Sequence, residues 1–63
     1  MRPEFQIMIE RINAKVAHWS EGLAKGAAKD FSEYKHSVGF IAGLKQAAQE
    51  IEDMGKAYDD DDD

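Results

Sequence analysis

The stretch KGAAKDFSE at residues 25–33 separates two long helical patterns and decides the fold of this chain. Gly26 is a residue that readily adopts the left-handed conformation in which many helices end. Asp30, followed three residues later by Glu33, has the form of a capping box in which Asp replaces the usual Ser or Thr. One helix is therefore predicted to end at this stretch, and a second helix is predicted to begin within it.

The sequence before this stretch has the apolar period of a helix, predicted over about residues 4–25. Apolar residues recur in steps of three and four, which is typical of a helix rather than a strand. Pro3 suits the first turn, where its missing N–H is not needed. The end is predicted at Gly26, with Gly22 as the alternative. The stripe consists of Phe5, Met8, Ile9, Ile12, Val16, Trp19 and Leu23.

The second helix is predicted over about residues 31–54, and Gly55 is its predicted stop. Its apolar residues again recur in threes and fours. The stripe consists of Phe31, Tyr34, Val38, Ile41, Leu44, Ala48, Ile51 and Met54. Trp19 and Phe31 lie on the two stripes close to the turn, and both are predicted to belong to the core.

Two helices of similar length with a short connection predict an antiparallel pair. The predicted fold class is therefore all-α, with a helical hairpin at residues 1–58 and an acidic tail at residues 59–63. A chain of 63 residues without cysteine has a small core and no disulfide to stabilise it. Ordering each residue costs roughly 1.5 kcal/mol, and two helices cannot bury both stripes fully. We therefore expect the hairpin to be completed by oligomerisation or by docking on a larger assembly.

Charge is unevenly distributed along the chain, whose formal net charge is −5. Residues 1–29 carry five Lys or Arg against three Glu, a local charge of +2; residues 30–63 carry three Lys against ten Asp or Glu, a local charge of −7. The acidic half repels nucleic acid and suits a basic protein surface. No apolar run reaches the roughly 20 residues needed to span a bilayer. We expect protein partners, no direct contact with nucleic acid or membrane, and a cytoplasmic setting or a particle assembled there.

The sequence contains no arrangement of residues that predicts catalysis, and we expect no enzyme. A phosphate-binding loop, a nucleophile elbow and a Ser/His/Asp arrangement are all missing. The paired carboxylates Glu52 and Asp53 lie on a predicted helix surface without a cleft to desolvate a reacting group. His18 and His36 lack neighbours at metal-ligand spacing and are interpreted as exposed side chains. We predict no catalytic residue, no metal and no cofactor.

Small residues recur at every fourth position of helix 2, at Gly39, Gly43 and Ala47. They form a face on which another backbone can approach closely. Glycines within a helix cost roughly 1 kcal/mol each relative to Ala, which favours a packing role for them. Packing inside the hairpin, contact with a second chain and a chance occurrence are all open interpretations. Phe40 and Ile7, which lie off the stripes, are the other predicted partner contacts.

The chain ends in an acidic run formed by Asp59, Asp60, Asp61, Asp62 and Asp63. It is interpreted as a solvated end, as a contact with a basic protein surface, or as an imitation of DNA phosphates. Calcium binding is disfavoured, because the glycine and the terminal Glu of a calcium loop are missing.

Two segments of helix 2 resemble a group of short helical proteins of tailed phages, from the head and portal assembly region. They are Asp30-Phe31-Ser32-Glu33-Tyr34-Lys35 and Val38-Gly39-Phe40-Ile41-Ala42-Gly43-Leu44. The resemblance covers roughly residues 23–63, and chains of this group often end in an acidic run. It carries over no catalytic residue. It implies a virion or assembly role in many copies, with capsid or portal proteins as partners.

The predicted function is that of a non-enzymatic component of a phage virion or of its assembly, acting as an oligomeric helical interaction module. The virion or the host cytoplasm is its expected location. The alternative is an acidic inhibitor of a host DNA-binding enzyme, which covers a basic surface or mimics DNA.

Overall fold

The chain folds as a helical hairpin, and the computed structural model describes residues 1–61, with side chains described for residues 1–58. Helix α1 spans Pro3–Ala24 and helix α2 spans Phe31–Asp61. The two helices lie against each other along their lengths, and residues 1–61 contain no strand. The predicted all-α hairpin is confirmed.

The helices meet along a seam that has the seven-residue repeat of a coiled coil. On each helix, seam positions are spaced alternately four and three residues apart. Ile41, Ala48 and Gly55 are buried at this seam, and most of the other seam residues are half-buried. The seam consists of Phe5, Ile9, Ile12, Val16, Trp19 and Leu23 on α1, and Ser37, Ile41, Leu44, Ala48, Ile51, Gly55 and Tyr58 on α2.

Two aromatic contacts set the antiparallel register. The ring centroids of Phe5 and Tyr58 are 5.6 Å apart at the open end of the hairpin, and those of Trp19 and Phe40 are 4.4 Å apart nearer the turn. Arg2 lies over the Tyr58 ring, with 5.1 Å from its guanidinium carbon to the ring centroid. Such contacts stabilise by about 0.5–1.5 kcal/mol each.

α1 ends in a Schellman motif at Gly26. Gly26 has φ +83°, its N–H donates to the carbonyl oxygen of Leu23 at 3.0 Å, and the N–H of Ala27 donates to the carbonyl oxygen of Gly22 at 3.0 Å. These two bonds satisfy carbonyl groups that the end of a helix leaves without partners. Gly26 is therefore the residue that ends α1, as predicted, and Gly22 lies inside the helix.

α2 begins with the predicted capping interaction. The N–H of Glu33 donates to Oδ1 of Asp30 at 2.8 Å. Oε2 of Glu33 accepts from the N–H of Lys29 at 3.1 Å, one residue before the position that a standard capping box uses. Side-chain oxygens of Asp30 and Glu33 thus accept hydrogen bonds from backbone N–H groups at the start of α2.

The predicted end of α2 at Gly55 is wrong, because the helix continues to Asp61. Gly55 is buried, and a Cβ atom added there would lie 3.0 Å from Cγ of Met1. The glycine therefore allows the N-terminus to pack closely on α2. Asp59–Asp61 belong to α2; Asp62 and Asp63 of the predicted acidic tail lie outside the described residues. The helices, of 22 and 31 residues, are also less equal than predicted.

Replacing Gly26 with Ala should lower the free energy of unfolding by about 1–2 kcal/mol, because an L side chain is strained at this positive φ. Neither Gly26 nor Gly39 has an atom within 4 Å of an added Cβ, so a clash plays no part at either site. Gly39→Ala is the matched control, and it should raise stability by roughly 1 kcal/mol through helix propensity. Urea unfolding followed by circular dichroism measures both. Equal effects of the two substitutions would contradict the assignment of the turn.

Candidate interaction surface

The hairpin leaves much of its apolar surface uncovered. Its Cα atoms extend over 51 × 16 × 11 Å, so the molecule is a single layer of two helices. Each of ten large apolar side chains is more than one-third exposed. They are Met1, Ile7, Met8, Trp19, Phe31, Tyr34, Val38, Phe40, Met54 and Tyr58.

One side of the seam is mostly polar. We call it the polar flank; it comprises Gln6, Asn13 and Ser20 on α1, and Val38, Lys45 and Glu52 on α2. Nζ of Lys56 forms an ion pair with Oε1 of Glu52 at 3.5 Å on this side. The side chains of Lys56 and Glu52 are 65% and 43% exposed, so the contribution of this pair is about 0.3–0.5 kcal/mol. This flank is suited to contact with water.

The other side of the seam is mostly apolar. We call it the apolar flank; it comprises Met8, Lys15 and Gly22 on α1, and Phe40, Ala47 and Met54 on α2. Within each helix these residues are seven apart, so they form a row beside the seam. Met8, Phe40 and Met54 are 48%, 40% and 51% exposed. Single exposed apolar residues are common, but the row of Phe40, Ala47 and Met54 on α2, with Met8 of α1 on the same side, forms a candidate interaction surface.

A shallow groove lies on the apolar flank between the two helices. Its apolar walls include Trp19, Phe40 and Leu44, and its α1 rim carries Arg11 and Lys15. Lys15 and Phe40 thus lie on the same side of the hairpin, which shows that the flanking rows of α1 and α2 face the same way. The surface combines an apolar centre with a basic α1 edge.

The five predicted interface residues do not all lie on one surface of the hairpin. Phe40 and Ala47 belong to the apolar flank, and Gly43 borders it between them. In the same seven-residue repeat, Ile7 and Gly39 occupy positions on the outer sides of α1 and α2, away from the seam. Met8 and Met54, which the periodicity had assigned to the core stripes, are the exposed residues that the prediction of the surface had missed. The sequence signal for this surface is the seven-residue spacing of Phe40, Ala47 and Met54, which places Met54 in one row with the other two.

Gly39 and Gly43 do not pack against α1. Added Cβ atoms at these two glycines would have no atom within 4 Å. Packing inside the hairpin, one of the open interpretations, is therefore wrong for them. Gly43 leaves an open notch at the edge of the apolar flank.

Phe31 is not a core residue, contrary to the prediction, because 72% of its surface is exposed. The first turn of α2 lies beyond the end of α1, so no helix covers this side chain. Phe31 packs only locally, with its ring centroid 6.4 Å from that of Tyr34 and Nζ of Lys35 5.6 Å away. Trp19 fits the core prediction better, since its ring contacts Phe40, although it is 37% exposed.

The far end of α2 is acidic. Glu50, Glu52 and Asp53 precede Asp59–Asp61, which are the last described residues of the helix. The C-terminal end of a helix already carries a partial negative charge, and cations are favoured there. Asp59–Asp61, the described part of the predicted acidic contact, therefore lie in the last turn of α2.

The described residues offer no cluster of metal-ligating side chains. No group of three or more His, Asp or Glu side chains within residues 1–58 is arranged to hold a metal ion. His18 and His36 are both exposed. Within the described part of the chain, neither helix has an apolar segment of the length and hydropathy that crossing a membrane requires.

Comparison of this chain with protein-family models, with curated proteins and with solved structures gave no match. The surface is therefore interpreted from its own geometry.

Phe40→Ala should lower the free energy of unfolding by about 2 kcal/mol, because it removes a half-buried ring from Trp19. Phe31→Ala deletes the same atoms at an exposed site and should change stability by less than about 0.5 kcal/mol. Urea unfolding measures both effects. Trp19 fluorescence should shift to longer wavelength only in Phe40→Ala, since only this variant removes a ring that covers part of the indole. A red shift in Phe31→Ala would contradict the described packing.

Proposed function

We propose that this chain is a non-catalytic, oligomeric helical interaction module that serves as a structural or assembly component of a phage particle. Its apolar flank is the surface that other protein chains cover. The module needs no cofactor, and its partners are copies of itself and capsid or portal proteins.

The observation that carries this proposal is the excess of exposed surface. The accessible area of the chain is 4851 Å² at a mass of 7.1 kDa. A compact monomer of this mass exposes about 4100 Å². The difference, about 750 Å², is the additional surface of a chain that forms a single elongated layer of two helices.

The distribution of apolar residues also supports assembly. Two-stranded coiled coils are apolar at two of every seven positions, whereas helices in larger bundles are apolar at about three of seven. In this chain the third position is the apolar flank, at Met8 on α1 and at Phe40, Ala47 and Met54 on α2. The pattern is typical of helices that pack in a larger bundle.

The particle role rests on the resemblance of residues 23–63 to short helical phage proteins of the head and portal region. An extended module, 51 Å long, with an uncovered apolar flank suits a component that is used in many copies. The virion, or the host cytoplasm before assembly, is the corresponding location.

A second candidate function follows from the acidic end of α2. The helix α2 continues through Asp59–Asp61, beyond Glu50, Glu52 and Asp53, so its C-terminal part has a high density of acidic residues. Such a segment suits an inhibitor that covers the basic surface of a host DNA-binding enzyme or mimics DNA. This candidate requires the acidic end, whereas the structural role requires the apolar flank.

Ala47→Glu should weaken self-association at least about tenfold, because a chain that covers the apolar flank would have to desolvate the new charge. Ala42→Glu is the matched control: it introduces the same charge at an exposed position of the same helix, outside the apolar flank. Light scattering gives the mass, and for the wild type and the control the unfolding midpoint should rise with concentration. A fully helical wild-type monomer of 7.1 kDa at all concentrations would remove self-association from the proposal.

Deletion of residues 59–63 distinguishes the two functions. The structural role predicts that the shortened chain enters particles as the full chain does. The inhibitor role predicts instead the loss of a salt-sensitive complex with a host protein, since charged contacts weaken as salt rises. Immunoblots of purified particles and binding measured at low and high salt provide the two readouts.

A further inference from the structure

We infer that the apolar flank is covered by a second copy of this chain, in a four-helix bundle with both turns at the same end and Arg11 of each copy against Glu50 of the other. This inference rests on the proposed function, and it specifies the partner and its orientation.

The available area fits one further copy. The broad side of the hairpin measures 51 Å by 16 Å between Cα atoms, so a second hairpin of the same dimensions covers it along its whole length. A dimer with two-fold symmetry is also a closed assembly. The apolar flank of each copy covers that of the other, so neither flank remains exposed.

Two orientations place the apolar flanks face to face. With the two-fold axis parallel to the helices, α1 lies on α2 of the second copy and all adjacent helices are antiparallel. With the axis across the helices, α1 lies on α1 and α2 lies on α2, with the turns at opposite ends. The charges that border the flank distinguish these orientations.

Arg11 and Glu50 occupy equivalent positions at the two borders of the apolar flank. Arg11 follows Met8 by three residues, and Glu50 follows Ala47 by three residues. Each therefore lies about one helical turn after a residue of the apolar flank, on the side of the flank that is away from the seam. Both side chains are exposed. Arg11 has no ion pair with any residue of the described chain, and Glu50 accepts only a hydrogen bond from Nε2 of Gln46, at 3.2 Å.

The register of the hairpin places these two residues at a similar height. The ring of Phe5 contacts that of Tyr58, and the ring of Trp19 contacts that of Phe40. These two contacts place Arg11 opposite about residues 48–52 of α2, so Glu50 lies within about half a helical turn of it. When the turns lie at the same end, Arg11 of one copy therefore faces Glu50 of the other, and the pair forms twice by symmetry.

The opposite orientation is disfavoured by the same charges. Arg11 and Lys15 lie near the middle of α1, so an antiparallel α1–α1 contact would bring Arg11 of one copy beside Lys15 of the other. Like charges in close contact destabilise an interface. At the α2–α2 contact, no basic residue borders the flank near Glu50 to compensate.

The test begins with charge reversal at low salt. Arg11→Glu and Glu50→Arg should each raise the dissociation constant of the dimer by roughly tenfold, because two symmetry-related pairs become repulsive. The double variant should restore the wild-type constant. Lys45→Glu, a matched charge reversal on the polar flank, should leave the dissociation constant within about twofold of the wild-type value. Analytical ultracentrifugation measures all four.

A distance measurement tests the orientation directly. Because the chain has no cysteine, Lys29→Cys introduces a single spin-label site at the exposed turn. Labels of the two copies should lie far closer than the 51 Å length of the hairpin. A label distance near that length, or a double variant that fails to recover, would overturn the arrangement while self-association stands. A monomeric wild type would remove the second copy itself.

Discussion

The structure depends on one constraint: two helices can cover each other's apolar side chains only along a single narrow seam. On each helix that seam takes two positions in every seven, and on α2 apolar residues also occupy a third position. The remaining row forms the apolar flank, where Phe40 and Met54 are exposed to water because no third helix lies above them. The uncovered flank, the excess of accessible area and the proposed assembly all follow from this mismatch between the width of the apolar stripe and the width of the seam.

The local signals in the sequence were sufficient for the turn. Gly26 and Asp30 act through hydrogen bonds to residues no more than five positions away, so their roles can be read from short stretches. The end of α2 could not be predicted in this way. Gly55 looks like a helix stop, but it accommodates Met1 from the other end of the chain, and a contact of this kind leaves no local signal.

The candidate surface was predictable only in part, for a related reason. Periods of three and four separate the apolar face from the polar face, but they do not distinguish the seam from the row beside it. Phe40 and Ala47 were therefore predicted as partner contacts, whereas Met8 and Met54 were assigned to the core. Phe31 was assigned to the core because it continues the stripe; its exposure depends on where α1 ends, which is a property of the pair of helices.

The antiparallel register also has a consequence for the order in which the hairpin forms and opens. Contacts near the six-residue connection join parts of the chain that are close in sequence, so their formation costs little loop entropy. The contact between Phe5 and Tyr58 joins nearly the two ends of the chain and forms last. Pairing should therefore start at the turn and proceed towards the termini, and native fluctuations should open the chain from the termini inward. Amide hydrogens near the termini would then exchange with solvent first, at the end where α2 carries most of its negative charge.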